Sequence, residues 1–147
     1  MRTLGATAGL APSALALAFV VGLVAAGFGS TPTIVELAVG AGLITAFTAG
    51  IGWLVRPSID GNARDDIAAG VSYLLTACLL YLVIGAIGSA WTEDANGPAR
   101  DAFGVVVAIG FRFAYGLLYT PLLALIGAPF AVAWVVALRL LRPRFRA

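Results

Sequence analysis

The chain has 147 residues, a mean hydropathy of +1.02, 61% hydrophobic residues and only 11% charged residues. A soluble domain carries about 25% charged residues, so the composition excludes one and predicts a chain whose main solvent is lipid. The formal net charge is +2, and every basic residue is an arginine. Because so little soluble surface remains, we interpret the basic excess as contact with lipid headgroups and not with nucleic acid.

Long apolar runs predict an all-α integral membrane helical bundle, because each backbone polar group in lipid needs a partner within its own segment. The alternating ten-residue pattern of a membrane barrel is absent from the sequence. The loops are too short to fold separately, so we expect residues 1–147 to form a single multi-pass transmembrane domain. Five hydrophobic helices are predicted, at about residues 10–28, 34–55, 67–91, 102–118 and 121–141.

The first segment has two interpretations. Arg2, the apolar run and the small residues before Gly27 loosely fit a cleaved signal peptide. The apolar run is at the long end for such a peptide, which favours a helix that is retained in the membrane.

Helix-start chemistry follows the polar loops. Thr33 and Glu36 have the spacing of a capping box, and Asn62 lies three residues before Asp65. Gly97-Pro98 precedes a further start at about residue 102. We therefore interpret Glu36 as a cap at the membrane surface, and not as the intramembrane carboxylate of a proton-coupled transporter.

Residues 102–141 contain only two charges, Arg112 and, near the end, Arg139, and would run about 60 Å as one helix, roughly twice the hydrocarbon thickness of a bilayer. The run must therefore break. Thr120 can act as an N-cap and Pro121 as the first helical residue. This pair predicts a tight turn between the last two helices.

The arginines leave four or five crossings open. With five, Arg100 and the C-terminal arginines lie on the opposite side from Arg2, Arg56 and Arg64, which violates the positive-inside rule. With four crossings, Arg100 is the one loop or terminal arginine on the outer side, and all the others lie inside. The segment at residues 102–118 is then the one that does not cross, because a central arginine costs roughly 2.5 to 3.5 kcal/mol on insertion scales.

Arg112 is the candidate contact for an ion or a partner. It shares a four-residue spacing with Gly104, Ala108 and Gly116, which places it on a face where another helix can approach closely. One hypothesis is an anion path or an ion pair with a partner. The other, which we favour, is that Arg112 snorkels towards the headgroups.

A stripe of small residues predicts a helix-packing surface on the second segment. Its members recur every four residues: Ala38, Gly42, Ala46 and Gly50. The partner helix can belong to this chain or to another, so a homo-oligomer or a larger membrane complex is expected.

Several chemistries are disfavoured. The sequence has no histidine, which removes the usual general base and the commonest metal ligand. Cys78 is the only cysteine and lies among apolar residues, so we expect a small core residue. The neighbours Asp65 and Asp66 are expected on a solvated loop face. We predict no cofactor, no metal and no enzyme activity.

The sequence thus predicts a small multi-pass protein of the cell membrane, surrounded by lipid, that acts as a packing subunit or a homo-oligomeric component. The alternative is a small transporter or channel with Arg112 near an anion path.

Overall fold

The computed structural model describes residues 2–27, 32–58, 60–94 and 102–146, and about 90% of these residues are helical, with no strand among them. The all-α prediction is confirmed. The helices are α1 (Arg2–Ala8), α2 (Leu10–Ala25), α3 (Ile34–Val55), α4 (Ala63–Asp94), α5 (Ala102–Leu117) and α6 (Thr120–Arg146).

Helices α1 and α2 together form the first predicted segment, because only Gly9 separates them. The helical hydrogen bonds continue across it: the Gly9 N–H donates to the Gly5 carbonyl at 3.1 Å, and the Ser13 N–H donates to the Gly9 carbonyl at 3.4 Å. Pro12 has no N–H to donate to Ala8, which explains the interruption. The segment begins at Arg2, earlier than predicted.

The caps explain where α3 and α4 begin. The Glu36 N–H donates to the Thr33 hydroxyl at 3.2 Å, and the Thr33 N–H donates to the Glu36 carboxylate at 2.8 Å, so the predicted capping box is confirmed. Asn62 accepts from the Arg64 and Asp65 N–H groups at 2.9 and 3.1 Å. The start predicted at Gly97-Pro98 lies outside the described residues.

The long apolar run breaks where predicted. Helix α5 ends at Leu117 and α6 begins at Thr120, with a two-residue turn between them. The predicted cap is wrong, however: Thr120 is already helical, and its hydroxyl has no hydrogen-bond partner among the described residues. The backbone carbonyl of Tyr119 accepts from the Leu123 N–H at 3.0 Å, so Tyr119 occupies the N-cap position and Thr120 is the first helical residue.

Four helical segments are long and apolar enough to cross a membrane: Arg2–Ala25, Ile34–Val55, Ala63–Gly88 and Thr120–Phe145. The apolar part of α5, Gly104–Leu117, is shorter. Within the described residues, the structure therefore supports a multi-pass membrane protein in which α5 is the helix least suited to span.

The chain divides into two compact units. The first contains Met1–Leu74 and Ala128–Ala147, and the second contains Leu75–Gly127. Both α4 and α6 contribute residues to each unit. The assignment of residues 1–147 to one domain stays a prediction.

The first unit is held together by close backbone contact. A Cβ atom at Gly5 would collide with the carbonyl group of Gly52, and one at Gly9 would lie 2.7 Å from the Thr48 carbonyl oxygen. Glycine therefore lets α1 lie directly against α3. Trp134 of α6 is fully buried beside them and donates its indole N–H to the Gly5 carbonyl at 3.0 Å.

Tyr73 of α4 completes this core. Its ring stacks on Trp134 with centroids 4.7 Å apart, and only 2% of the residue is exposed. Leu4, Ile51 and Leu138 are buried in the same unit. The N-terminal helix thus supplies part of the core of the first unit.

Candidate functional sites

A buried ionic cluster in the first unit joins the start of α4 to the end of α6. Asp66 is 2% exposed, and its carboxylate accepts from the Arg139 Nε at 2.7 Å and from the Arg142 guanidinium. Arg142 also donates to the backbone carbonyls of Ser58 and Gly61, at 3.2 and 3.0 Å. Arg142 therefore connects the loop between α3 and α4 to the last turns of α6.

This cluster corrects the expectation that Asp65 and Asp66 share a solvated face. Asp65 is exposed and accepts from the Asn62 N–H at 3.0 Å, whereas Asp66 points into the unit. Adjacent helical residues point about 100° apart, so they can have opposite environments. Arg139 and Arg142 are three residues apart and share a helix face, which was the only sequence signal that they could bind one carboxylate.

The arginine-rich ends lie together in the first unit. The Arg2 guanidinium lies 4.3 Å from the centre of the Trp53 ring near the end of α3, while Arg142 contacts the loop that follows α3. Arg56 ends α3, and Arg64 is in the first turn of α4. Because Arg2 and Arg142 lie at the same end, we infer an even number of crossings between them. The positive-inside rule favours the same topology.

The small-residue stripe lies on the free side of α3. Ala38, Gly42, Ala46 and Gly50 are all exposed, and a Cβ atom at Gly42 or Gly50 would have nothing within 4 Å among the described residues. The side of α3 that contacts α1 carries Thr48 and Gly52 instead. The predicted contact with another helix is therefore not made by the described part of this chain, and for a partner chain it stays a prediction.

Arg112 lies beside a groove in the second unit. The groove has a volume of about 310 Å³, and its lining includes Leu82, Ala86, Phe111 and Gly116. Gly116 lets α5 approach α4 closely, since a Cβ atom there would lie 2.8 Å from the Leu82 side chain.

The row of α5 residues that contains Arg112 is half-buried, as its small neighbours predict: Gly104, Ala108, Arg112 and Gly116. Tyr115 and Tyr119 are more than half exposed, and their ring centroids are 5.8 Å apart. Exposed tyrosines beside an arginine are typical of a membrane interface. The geometry of the row fits both hypotheses for Arg112.

Other chemistry is sparse among the described residues. They contain no group of three or more acidic or cysteine side chains that could hold a metal ion. Cys78 is buried and forms no disulfide, in keeping with a packing role.

Comparisons with protein-family models, curated proteins and solved structures find no match.

Proposed function

We propose that this chain is a small multi-pass protein of the cell membrane that acts without catalysis, as a packing subunit or a homo-oligomeric membrane component. The observation that carries the proposal is the exposed small-residue stripe, defined above as Ala38, Gly42, Ala46 and Gly50. A row of small residues on a lipid-facing surface allows a second helix to approach until the backbones touch.

Helix α3 supplies an internal example of such packing. On its other side, Gly52 meets Gly5 of α1 at backbone contact. The chain therefore already associates helices through small residues, and the stripe offers the same surface to a partner. Apolar neighbours such as Val39 and Leu43 are 57% and 67% exposed, so the surrounding face is compatible with lipid or with another helix.

The stripe can be tested by placing leucine at Gly42 or Ala46. We expect each variant to lose assembly in mild detergent, because leucine separates two closely packed backbones. The measurement is oligomer mass by light scattering, together with identification of copurified proteins. Helical content and thermal stability should stay close to those of the unmodified chain.

Gly40→Leu is the matched control, since a Cβ atom at Gly40 also has nothing within 4 Å among the described residues and the position lies off the stripe. It should assemble normally. Gly52→Leu should instead reduce stability, because it collides with Gly5 inside the chain. A monomeric unmodified chain with no copurified partner, or unchanged assembly in both stripe variants, would contradict the proposal.

The second candidate function is a small transporter or channel with Arg112 near an anion path. The observation that favours it is the groove beside Arg112, because a cationic side chain that lines an intramembrane groove can attract an anion. Tyr115 also lines this groove and supplies a hydroxyl group for polar contact.

A further inference from the structure

A second groove, in the first unit, combines an apolar lining with one arginine. It has a volume of about 380 Å³ and lies between α4 and α6. Its lining includes Ile67 and Val71 of α4 and Ala128, Val132 and Arg139 of α6. Among the described residues, Arg139 is the one charged residue that lines this α4–α6 groove.

The groove is open on the side that lipid would cover. Ile67, Val71 and Val132 are 65%, 50% and 61% exposed. At Gly70, a Cβ atom would lie 2.8 Å from the Val135 side chain, so the absence of a side chain there lets α4 and α6 approach closely. An aliphatic chain can therefore enter from the lipid phase without passing a polar barrier.

The groove has the length of one leaflet. Ala128 and Arg139 bound it along α6, and eleven residues of helix rise about 16 Å. Half of the hydrocarbon core of a bilayer is about 15 Å thick. When Arg139 is at headgroup depth, the apolar lining therefore follows an acyl chain towards the bilayer centre.

The charges at the headgroup end favour an anion. Asp66 receives hydrogen bonds from both Arg139 and Arg142, so this buried cluster has one positive charge in excess. Arg142 is almost completely buried, whereas 53% of the Arg139 side chain is exposed. The bond to Asp66 uses the Nε of Arg139, and Arg139 also lines the groove.

We propose that the α4–α6 groove binds an acyl chain of an anionic phospholipid, with the lipid phosphate on the Arg139 guanidinium. Planar guanidinium groups pair well with phosphate oxygens, and the apolar groove supplies contacts that a surface arginine lacks. The site lies at the arginine-rich end, which the positive-inside rule assigns to the cytoplasmic leaflet, where anionic lipids are enriched.

The test compares phosphatidylglycerol with phosphatidylcholine of identical acyl chains. The full chain is purified in mild detergent, and lipid retention is measured by native mass spectrometry. We expect a preference of about fivefold for the anionic lipid, the size of one arginine near the membrane surface. Arg139→Gln should remove this preference, and Val132→Phe should reduce retention of both lipids by narrowing the groove.

Two controls separate this site from general effects. Arg144→Gln removes an exposed arginine outside the groove, and Val39→Phe enlarges an exposed residue of α3. Both should bind lipid like the unmodified chain. Val132→Phe leaves the ionic cluster intact, so its result does not depend on the stability of Arg139→Gln.

An equal loss of preference in Arg139→Gln and Arg144→Gln would contradict the proposal, because it would indicate diffuse attraction. Unchanged lipid retention in Val132→Phe would also contradict it. If Val132→Phe reduces oligomer mass and leaves lipid retention unchanged, the groove binds a protein helix and the lipid site is wrong.

Discussion

At the scale of single residues, Asp66 is a buried carboxylate that accepts hydrogen bonds from two arginines in the first unit. Its buried carboxylate balances Arg142, which is itself 7% exposed. Removal of one member of a buried ionic pair leaves the other charge without compensation and costs about 3–5 kcal/mol. The contact between the start of α4 and the last turns of α6 should therefore depend on Asp66.

We therefore expect Asp66→Asn to lower the free energy of unfolding by about 3 kcal/mol or more, because Arg142 stays buried beside a neutral group. Equilibrium unfolding in detergent micelles measures the effect. Asp65→Asn is the control, because it makes a similar change at an exposed neighbour. The new side-chain oxygen can still accept from the Asn62 N–H, so this variant should cost below about 1 kcal/mol. Equal losses in the two variants would show that the buried cluster has no special role.

Substitutions at Arg112 distinguish between the two candidate functions. If it snorkels, Arg112→Lys and Arg112→Gln should both leave stability and assembly nearly unchanged, which is the result we expect. If it lines an anion path, lysine should keep part of the flux and glutamine should abolish it. Anion flux in reconstituted vesicles that depends on the charge at this position would support the transporter or channel.

At the scale of elements, local chemistry was the best guide. The bounds of α3 and its capping box follow directly from residues 33–56, because the Thr33 cap, the apolar run and Arg56, which ends the helix, lie within one segment. The break before Thr120 is also local, since a long apolar run cannot stay in lipid as one helix. The Thr120 cap was wrong because the helix starts one residue earlier, with the Tyr119 carbonyl accepting the first helical hydrogen bond from the Leu123 N–H.

The contacts between elements were not predictable from local patterns. Asp66 and Arg142 are 76 residues apart, and nothing in the Asp65-Asp66 pair indicates which carboxylate turns inward. Helix α3 carries small residues on more than one side, and the sequence does not distinguish the side that α1 covers, at Gly52, from the exposed stripe. The role of Gly5 and Gly9 is evident only from the opposing backbone of α3, which no local pattern identifies.

At the scale of the whole molecule, we propose that the chain crosses the membrane four times. Four segments have the length and hydropathy to cross, and the ends marked by Arg2, Arg56 and Arg142 come together in the first unit. The distribution of arginines and the contacts of Arg2 and Arg142 therefore both indicate one arginine-rich side. From the positive-inside rule, we predict that this side is cytoplasmic.

The sidedness of three positions tests this topology most directly. Single cysteines at Pro32, Ser58 and Arg144, in a Cys78→Ala background, are labelled in intact cells with a membrane-impermeant maleimide, before and after permeabilisation. We predict external labelling at Pro32→Cys only, with Ser58→Cys and Arg144→Cys labelled after permeabilisation. Labelling of Ser58→Cys and Arg144→Cys from opposite sides would establish an odd number of crossings between them and contradict the account.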